Sequence, residues 1–296
     1  MNSANLKKTM NIVGSFLAVF SLFFVFFRLK NYLTPEVYGY FNPLVIVLLL
    51  IISIAYGGSS IILGCVWKNI LEKCGEKRSY LWAIKVYGTS QIAKYIPGNI
   101  FHYAGRQALG MADSASAKKL AKSTLWELVL LVFSGALFSI LIIPLLIKIN
   151  SSYILLLLFF FIAVLFLVNY FFQIFLGCNF AKAFRLQIFF LIISGATFSA
   201  VLFMITQGNV LVNNIDTRWL VIIIPAAYVC AWLIGLITPG APAGVGVREV
   251  VLIYLLGGFF NENDLLISVV ISRIVTVVGD FIFYGIACAM KKSEFK

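Results

Sequence analysis

The sequence predicts an all-α polytopic membrane protein with about eight transmembrane helices, with re-entrant or broken helices and with an internal repeat. Composition is the first reason. Hydrophobic residues make up 62% of the 296 residues and charged residues 11%, whereas soluble domains carry about 25% charged residues. Apolar runs are the second reason: residues 153–168 contain no polar side chain apart from Tyr153. A soluble all-α protein is the alternative, but its helices would need polar faces, and too many segments here are apolar all round.

Seven segments are long and apolar enough for a crossing, which needs about 20 residues. The first follows Lys7 and Lys8 as a signal peptide would, but no small-residue cleavage site comes after it, so we expect a retained span. The segment 248–260 is apolar but short for a crossing. No soluble domain or long linker interrupts the pattern, which favours a single domain over 1–296. The candidate spans are 11–30, 44–66, 124–147, 153–176, 186–206, 219–237 and 265–290.

Lysine and arginine set the expected orientation. They are concentrated in the connection 67–123, near the N-terminus and at the C-terminus, so the positive-inside rule places both termini in the cytoplasm. The same rule explains the net charge of +12 without nucleic acid. Four basic residues depart from the rule, namely Arg28, Lys30, Lys148 and Arg218. On this topology the mixed segment 80–110 enters and leaves from one side, either as a re-entrant hairpin or as two short helices within protein.

Two short interruptions of the apolar pattern have the same spacing, and they are the third reason for the fold class. Each reads Pro-Gly, seven residues, then Arg, ending at Arg106 and at Arg248. Broken helices in corresponding halves of a membrane protein indicate a transport site. A duplication explains the match, in an inverted or a parallel sense, and chance is the alternative in a glycine-rich chain. The expected hinge residues are Pro97, Gly98, Pro239, Gly240, Pro242, Gly244 and Gly246.

The first interruption predicts an anion site. A helix ending near Tyr95 and a new helix starting at Asn99 would place Asn99, His102 and Arg106 on one face. Free N–H groups and the positive end of the helix dipole would add to that face. The alternative is a structural kink whose arginine reaches the interface. His102 is the only histidine, and it fits a structural role, a proton carrier or a headgroup donor equally.

The second interruption and the last span supply the other candidate substrate-binding residues. Arg248 begins an apolar helix, and Glu249 suits its first turn even without a ligand. Arg273 and Asp280 share a face of the last span but lie two turns apart, so each is expected to meet a partner on another helix. Glu127, with His102, is a candidate proton relay, or else an unremarkable carboxylate at the edge of its span.

The inventory of catalytic groups is small. One histidine and five scattered cysteines form no metal-binding pattern, and no nucleotide-binding or nucleophile-elbow motif is present. We therefore expect no metal, no cofactor and no enzymatic activity.

The segment from Lys94 to Arg106, KYIPGNIFHYAGR, resembles the signature of a flippase-like integral membrane family. That family includes the transmembrane flippase region of lysylphosphatidylglycerol synthase. The segment from Thr238 to Glu249, TPGAPAGVGVRE, is similar to a second signature, with Ala241-Pro242-Ala243 where many members have a glycine-rich run. The resemblance implies about eight helices around a polar cavity and movement of lipids between leaflets. It does not imply aminoacyl transfer, which belongs to a separate soluble domain.

The expected function is therefore a lipid flippase of a prokaryotic inner membrane. Its substrate would be an anionic or phosphate-linked lipid, either an aminoacyl-phospholipid or a polyprenyl-phosphate sugar, and envelope glycosyltransferases or lipid synthases are candidate partners. Two alternatives stay open. One is a membrane-embedded enzyme that uses Glu127, Glu249 or Asp280 as acid or base, and the other is a scaffold of envelope biosynthesis. The oligomeric state is left open.

Overall fold

The computed structural model describes residues 39, 41–96, 100–147, 151–211, 217–238 and 246–290, and their regular secondary structure is entirely helical. Short 3-10 turns extend α2 over Ile92–Tyr95, join α4 to α5 over Ile140–Ile142 and precede α8 over Thr217–Trp219. The helices are α1 (Pro43–Lys73), α2 (Tyr80–Gln91), α3 (Phe101–Ala112), α4 (Ala117–Ser139), α5 (Ile143–Ile147), α6 (Ser151–Phe175), α7 (Cys178–Thr206), α8 (Leu220–Ile237), α9 (Val247–Leu256) and α10 (Glu262–Ala289).

Six of these helical stretches are long and apolar enough to cross a membrane, and they fit an integral membrane protein. They confirm six of the seven spans expected from the sequence, while the segment 11–30 lies outside the described residues. Helix α6 is the most exposed of the six, because only 11% of its most apolar window is buried inside the protein. The spans are Pro43–Lys73, Ala117–Leu146, Tyr153–Phe175, Cys178–Thr206, Thr217–Ile237 and Glu262–Ala289.

Local capping fixes where the first two helices begin. The Asn42 side chain accepts a hydrogen bond from the Val45 N–H at 2.9 Å, and Pro43 occupies the first turn of α1, where its missing N–H costs nothing. Ser79 accepts from the Trp82 N–H at 3.2 Å and starts α2.

Helices α2 and α3 form an antiparallel hairpin, here called the first hairpin. The Trp82 indole N–H near the start of α2 donates to Asp113 Oδ2 just after α3, at 3.0 Å. The hairpin therefore begins and ends beside the last turn of α1, at what we call the Lys73 end of the bundle. This arrangement agrees with the expectation for the segment 80–110, in which the chain enters and leaves from one side.

The turn of the first hairpin differs from the expectation in one detail. Its helical segment ends at Tyr95, as expected, but α3 begins at Phe101 rather than at Asn99. The N–H groups of Tyr103 and Ala104 both bond to the Ile100 carbonyl at 3.1 Å, so Ile100 precedes the first turn of the helix. Residues 97–99, which include the expected hinge Pro97-Gly98, lie outside the described residues.

Helices α8 and α9 form the second hairpin, which starts from the opposite end. The Leu211 N–H, shortly after α7, bonds to the Phe259 carbonyl, shortly after α9, at 2.8 Å. The chain therefore enters α8 and leaves α9 beside the last turn of α7, at the Thr206 end of the bundle. Of the expected hinge residues here, Gly246 has a φ of +84°, which favours glycine, and Pro239, Gly240, Pro242 and Gly244 lie outside the described residues.

Helices α1 and α10 touch backbone to backbone midway through the bundle. A Cβ added to Gly57 would lie 2.6 Å from the Gly279 carbonyl oxygen, and one added to Gly279 would lie 2.8 Å from the Ser53 carbonyl oxygen. Small residues permit such close helix contacts in membranes. This crossing places Asp280, the next residue of α10, at the centre of the bundle.

The glycine crossing leads to a stability prediction. Replacing Gly57 with Ala should separate α1 from α10 and lower the free energy of unfolding by about 1–3 kcal/mol, the usual cost of overpacking. The measurement is the midpoint of thermal unfolding of the purified protein in detergent. Gly58→Ala is the matched control, because a Cβ there meets no atom within 4 Å, and its midpoint should stay unchanged or rise. Equal midpoints for both variants would contradict the close crossing.

Candidate functional site

Charged and polar side chains lie among the helices of the apolar bundle, in two groups associated with the two hairpins. Four of them are partly exposed, namely Lys94, Arg248, Glu249 and Arg273, and the other four are buried. The first-hairpin group consists of Lys94, His102, Arg106, Glu127 and Asp280. The second-hairpin group consists of Arg248, Glu249 and Arg273. We call the two groups together the central polar cluster. They contain every charged residue expected from the sequence to contact a substrate.

Arg106 and Glu127 form a buried ion pair between α3 and α4. Arg106 has no solvent-exposed surface and Glu127 is 5% exposed. One guanidinium nitrogen of Arg106 contacts Glu127 Oε2, and the Tyr87 hydroxyl donates to Glu127 Oε1 at 3.1 Å. Both carboxylate oxygens of Glu127 therefore have a donor. Each residue is buried against the other, so the Arg106 side chain does not extend to the surface of the protein.

Aromatic rings enclose the Arg106 guanidinium. Its central carbon lies 3.8 Å from the centroid of the Tyr87 ring, 5.1 Å from that of Trp67 and 5.6 Å from that of Tyr103. Such cation–π contacts offset part of the cost of burying a cation. Arg106 Nε and Nη2 nevertheless have no hydrogen-bond partner among the described residues.

His102 lies one turn before Arg106 on the buried face of α3. Its ring is 3.8 Å from the Tyr103 ring, and its Nδ1 is buried with no hydrogen-bond partner in the described part of the chain. The buried imidazole is therefore one helical turn from the Arg106–Glu127 ion pair.

Asp280 ties α10 to the inner end of the first hairpin. Its Oδ2 is 2.6 Å from Lys94 Nζ and also accepts a hydrogen bond from the Tyr95 hydroxyl. Asp280 is 1% exposed, and its Oδ1 has no partner among the described residues. The expectation that Asp280 meets a partner on another helix is confirmed.

Arg273 and Glu249 join α10 to α9 in the second-hairpin group. Arg273 Nη2 donates to Glu249 Oε1 at 3.1 Å, which is again a contact between helices rather than along one. Arg248 turns toward α8, with its guanidinium 5.9 Å from the centroid of the Trp232 ring. The buried Nε of Arg248 has no hydrogen-bond partner within the described ranges.

Tyr56, midway along α1, packs against Gly279, the residue that precedes Asp280 on α10. Arg273 and Asp280 lie two turns apart on that same helix, so α10 carries one charged residue of each group. Arg106 and Arg248 belong to different ion-pair groups of the central polar cluster.

The sequence identified most of the charges of this cluster but few of their partners. Lys94 and Tyr95 lie next to the first interruption, and this position in the sequence could have identified them as partners. Tyr56 and Tyr87 lie in apolar runs, where nothing in the sequence distinguishes them from packing residues. Asn99 lies outside the described residues.

The buried ion pair leads to a second prediction. Glu127→Gln leaves Arg106 unpaired in an apolar environment and should lower the free energy of unfolding by about 3–5 kcal/mol. The double variant Arg106→Met with Glu127→Leu removes both charges and should be more stable than Glu127→Gln. Thermal unfolding in detergent measures both.

Glu72→Gln is the control for that experiment, because Glu72 pairs with Lys68 at the periphery and its loss should cost at most about 1 kcal/mol. A double variant less stable than Glu127→Gln would show that the two charges are not each other's main partners.

Comparisons with protein-family models, with curated proteins and with solved structures gave no match to this chain.

Proposed function

We propose that this protein is a flippase-like transporter that moves an anionic or phosphate-linked lipid between the leaflets of a prokaryotic inner membrane. The observation that carries the proposal is the central polar cluster, held inside an apolar bundle at the inner ends of two hairpins. Ionisable side chains inside a membrane fold are costly and mark substrate or ion pathways. An aminoacyl-phospholipid and a polyprenyl-phosphate sugar are the candidate cargoes, since the tail stays in lipid and only the headgroup needs shelter.

The proposal includes an inverted internal repeat, with α1–α4 as one half and α7–α10 as the other. Each half consists of a span, a hairpin and a second span. The first hairpin starts from the Lys73 end and the second from the Thr206 end, which is the relation expected of inverted halves. The segment 11–30 would add a seventh span to the six, and the first hairpin would bring the count to about eight membrane-embedded elements.

The packing of the helices supports this repeat. If α1 corresponds to α7, α2 to α8, α3 to α9 and α4 to α10, every substantial contact within or between the halves has a counterpart. Thus α2 packs on α1, α3 and α10, while α8 packs on α7, α9 and α4. Helices α1 and α7, which correspond to each other, pack together at the centre.

Each half has an ion pair between corresponding helices, but the helix that carries the cation in one half carries the anion in the other. In the first half the returning helix α3 carries the cation, Arg106, and the following span carries the anion, Glu127. In the second half the returning helix α9 carries the anion, Glu249, and the following span carries the cation, Arg273. Each pair holds a hairpin against its neighbouring span, where opening would admit a headgroup from one side.

Charge distribution supports cytoplasmic N- and C-termini. The Lys73 end of the bundle is rich in lysine and arginine, which the positive-inside rule assigns to the cytoplasm. Helix α10 also ends at this side, because the Lys85 ammonium contacts the Met290 carbonyl. The basic residues are Lys73, Lys77, Arg78, Lys118, Lys119, Lys122, Lys182 and Arg185.

A liposome assay tests the function. Purified protein should raise the rate at which a fluorescent anionic phospholipid exchanges between leaflets, and Asp280→Asn should lower that rate about tenfold or more, because it releases Lys94 and Tyr95 from the inner end of the first hairpin. Arg185→Gln, an exposed substitution, should leave the rate unchanged.

Two results would contradict the proposal. The first is an exchange rate no higher than that of protein-free liposomes for every anionic lipid tested, including a polyprenyl-phosphate sugar. The second is a covalently altered lipid in the mass spectrum after incubation, which would favour the alternative of a membrane-embedded enzyme.

A further inference from the structure

We propose that the second-hairpin group binds a phosphate ester with one negative charge, and that Arg248 and Arg273 are the side chains that hold it. This inference rests on the proposed function, because it names the ligand chemistry of the same cluster. It assigns different roles to Arg106 and Arg248, although both occupy the same position in the two Pro-Gly stretches. Arg248 would contact the ligand, whereas Arg106 would hold the first hairpin in place.

The first-hairpin group is electrically balanced. Lys94 contacts Asp280, and Arg106 contacts Glu127, so each cation has its own carboxylate. Arg106 is also enclosed by three aromatic rings and has no exposed surface. Arg106 Nε and Nη2 have no hydrogen-bond partner among the described residues, but the charge of Arg106 is already balanced by Glu127 and its guanidinium is surrounded by aromatic rings.

The second-hairpin group has one positive charge in excess. Arg248 precedes Glu249 on α9, and Arg273 contacts Glu249 from α10, so two arginines lie beside one acid. Glu249 accepts a hydrogen bond from Arg273, while Arg248 Nε stays buried and without a partner in the described part of the chain. A buried cation without its own counterion is costly, so an anion of one charge would neutralise the site.

The surroundings of Arg248 suit a phosphate. Arg248 comes from α9 and Arg273 from α10, so the two guanidinium groups reach the site from different helices. A tetrahedral phosphate offers oxygens in both directions, whereas a carboxylate offers its two oxygens in one plane. The first-turn N–H groups of α9 favour an anion there.

The charge balance also indicates how many negative charges the bound phosphate group should carry. Taken over the central polar cluster, the four cations Lys94, Arg106, Arg248 and Arg273 face the three acids Glu127, Glu249 and Asp280. A phosphodiester carries one negative charge and makes the cluster neutral. A phosphate-free glycolipid would leave the excess charge uncompensated.

Binding measured by native mass spectrometry of the intact protein in detergent tests the site. The probes are phosphatidylglycerol, a phosphate-free glucosyl diacylglycerol and the water-soluble glycerophosphoglycerol. Wild-type protein should bind phosphatidylglycerol more tightly than the glucosyl lipid. Arg248→Gln should weaken phosphatidylglycerol binding about tenfold or more, Arg248→Lys should weaken it less, and Arg185→Gln should not change it.

The outcomes separate this inference from the proposed function. If wild-type protein moves lipid in liposomes but Arg248→Gln binds phosphatidylglycerol as tightly as wild type does, the phosphate site is wrong and the transport function survives. Equal binding of the glucosyl lipid and phosphatidylglycerol would also overturn the site. If glycerophosphoglycerol binds as tightly as phosphatidylglycerol, the phosphate site stands with a soluble ligand, and the lipid-transport proposal loses its support.

Discussion

The arrangement of this protein depends on one constraint, which is that charges inside an apolar bundle must find partners within the protein. Lys94 and Arg106 lie on the two arms of the first hairpin. The carboxylates that pair with them belong to Asp280 on α10 and to Glu127 on α4. The hairpin is therefore attached to two different spans by contacts that cannot be exchanged for water. The same constraint ties α9 to α10 through Glu249 and Arg273. Short helices that could not hold a position in lipid alone are fixed in this way.

The two hairpins differ in how completely their charges are paired. The first is neutral, enclosed by aromatic rings and bonded at its inner end to Asp280, so its charges serve mainly to hold the fold. The second has two arginines and one acid, and its helix α9 has only ten residues. On the phosphate-site proposal, the ion pairs of the first hairpin hold it in place, and the second hairpin binds the ligand.

Much of the fold could be predicted from the sequence, because long apolar runs have few alternatives in a membrane. Six spans and the one-sided path of segment 80–110 followed from hydrophobicity and charge alone. The partners of the buried charges could not be predicted, because they depend on which helices are neighbours. Glu127 shows the difference: its position in the sequence suggests the edge of a span, and only the return path of α3 places Arg106 against it. The exact start of α3, two residues after Asn99, was also beyond prediction, since capping preference alone does not fix a helix boundary.

Helix α6 lies between α1–α4 and α7–α10 in the chain. It packs chiefly against α7 and exposes most of its aromatic surface. It takes the chain from the Thr206 end, where α5 finishes, back to the Lys73 end, where α7 begins. Without this crossing, α7 would begin at the Thr206 end, and the second hairpin would start from the Lys73 end, as the first does. A single helix thus determines that the two hairpins enter the bundle from opposite ends.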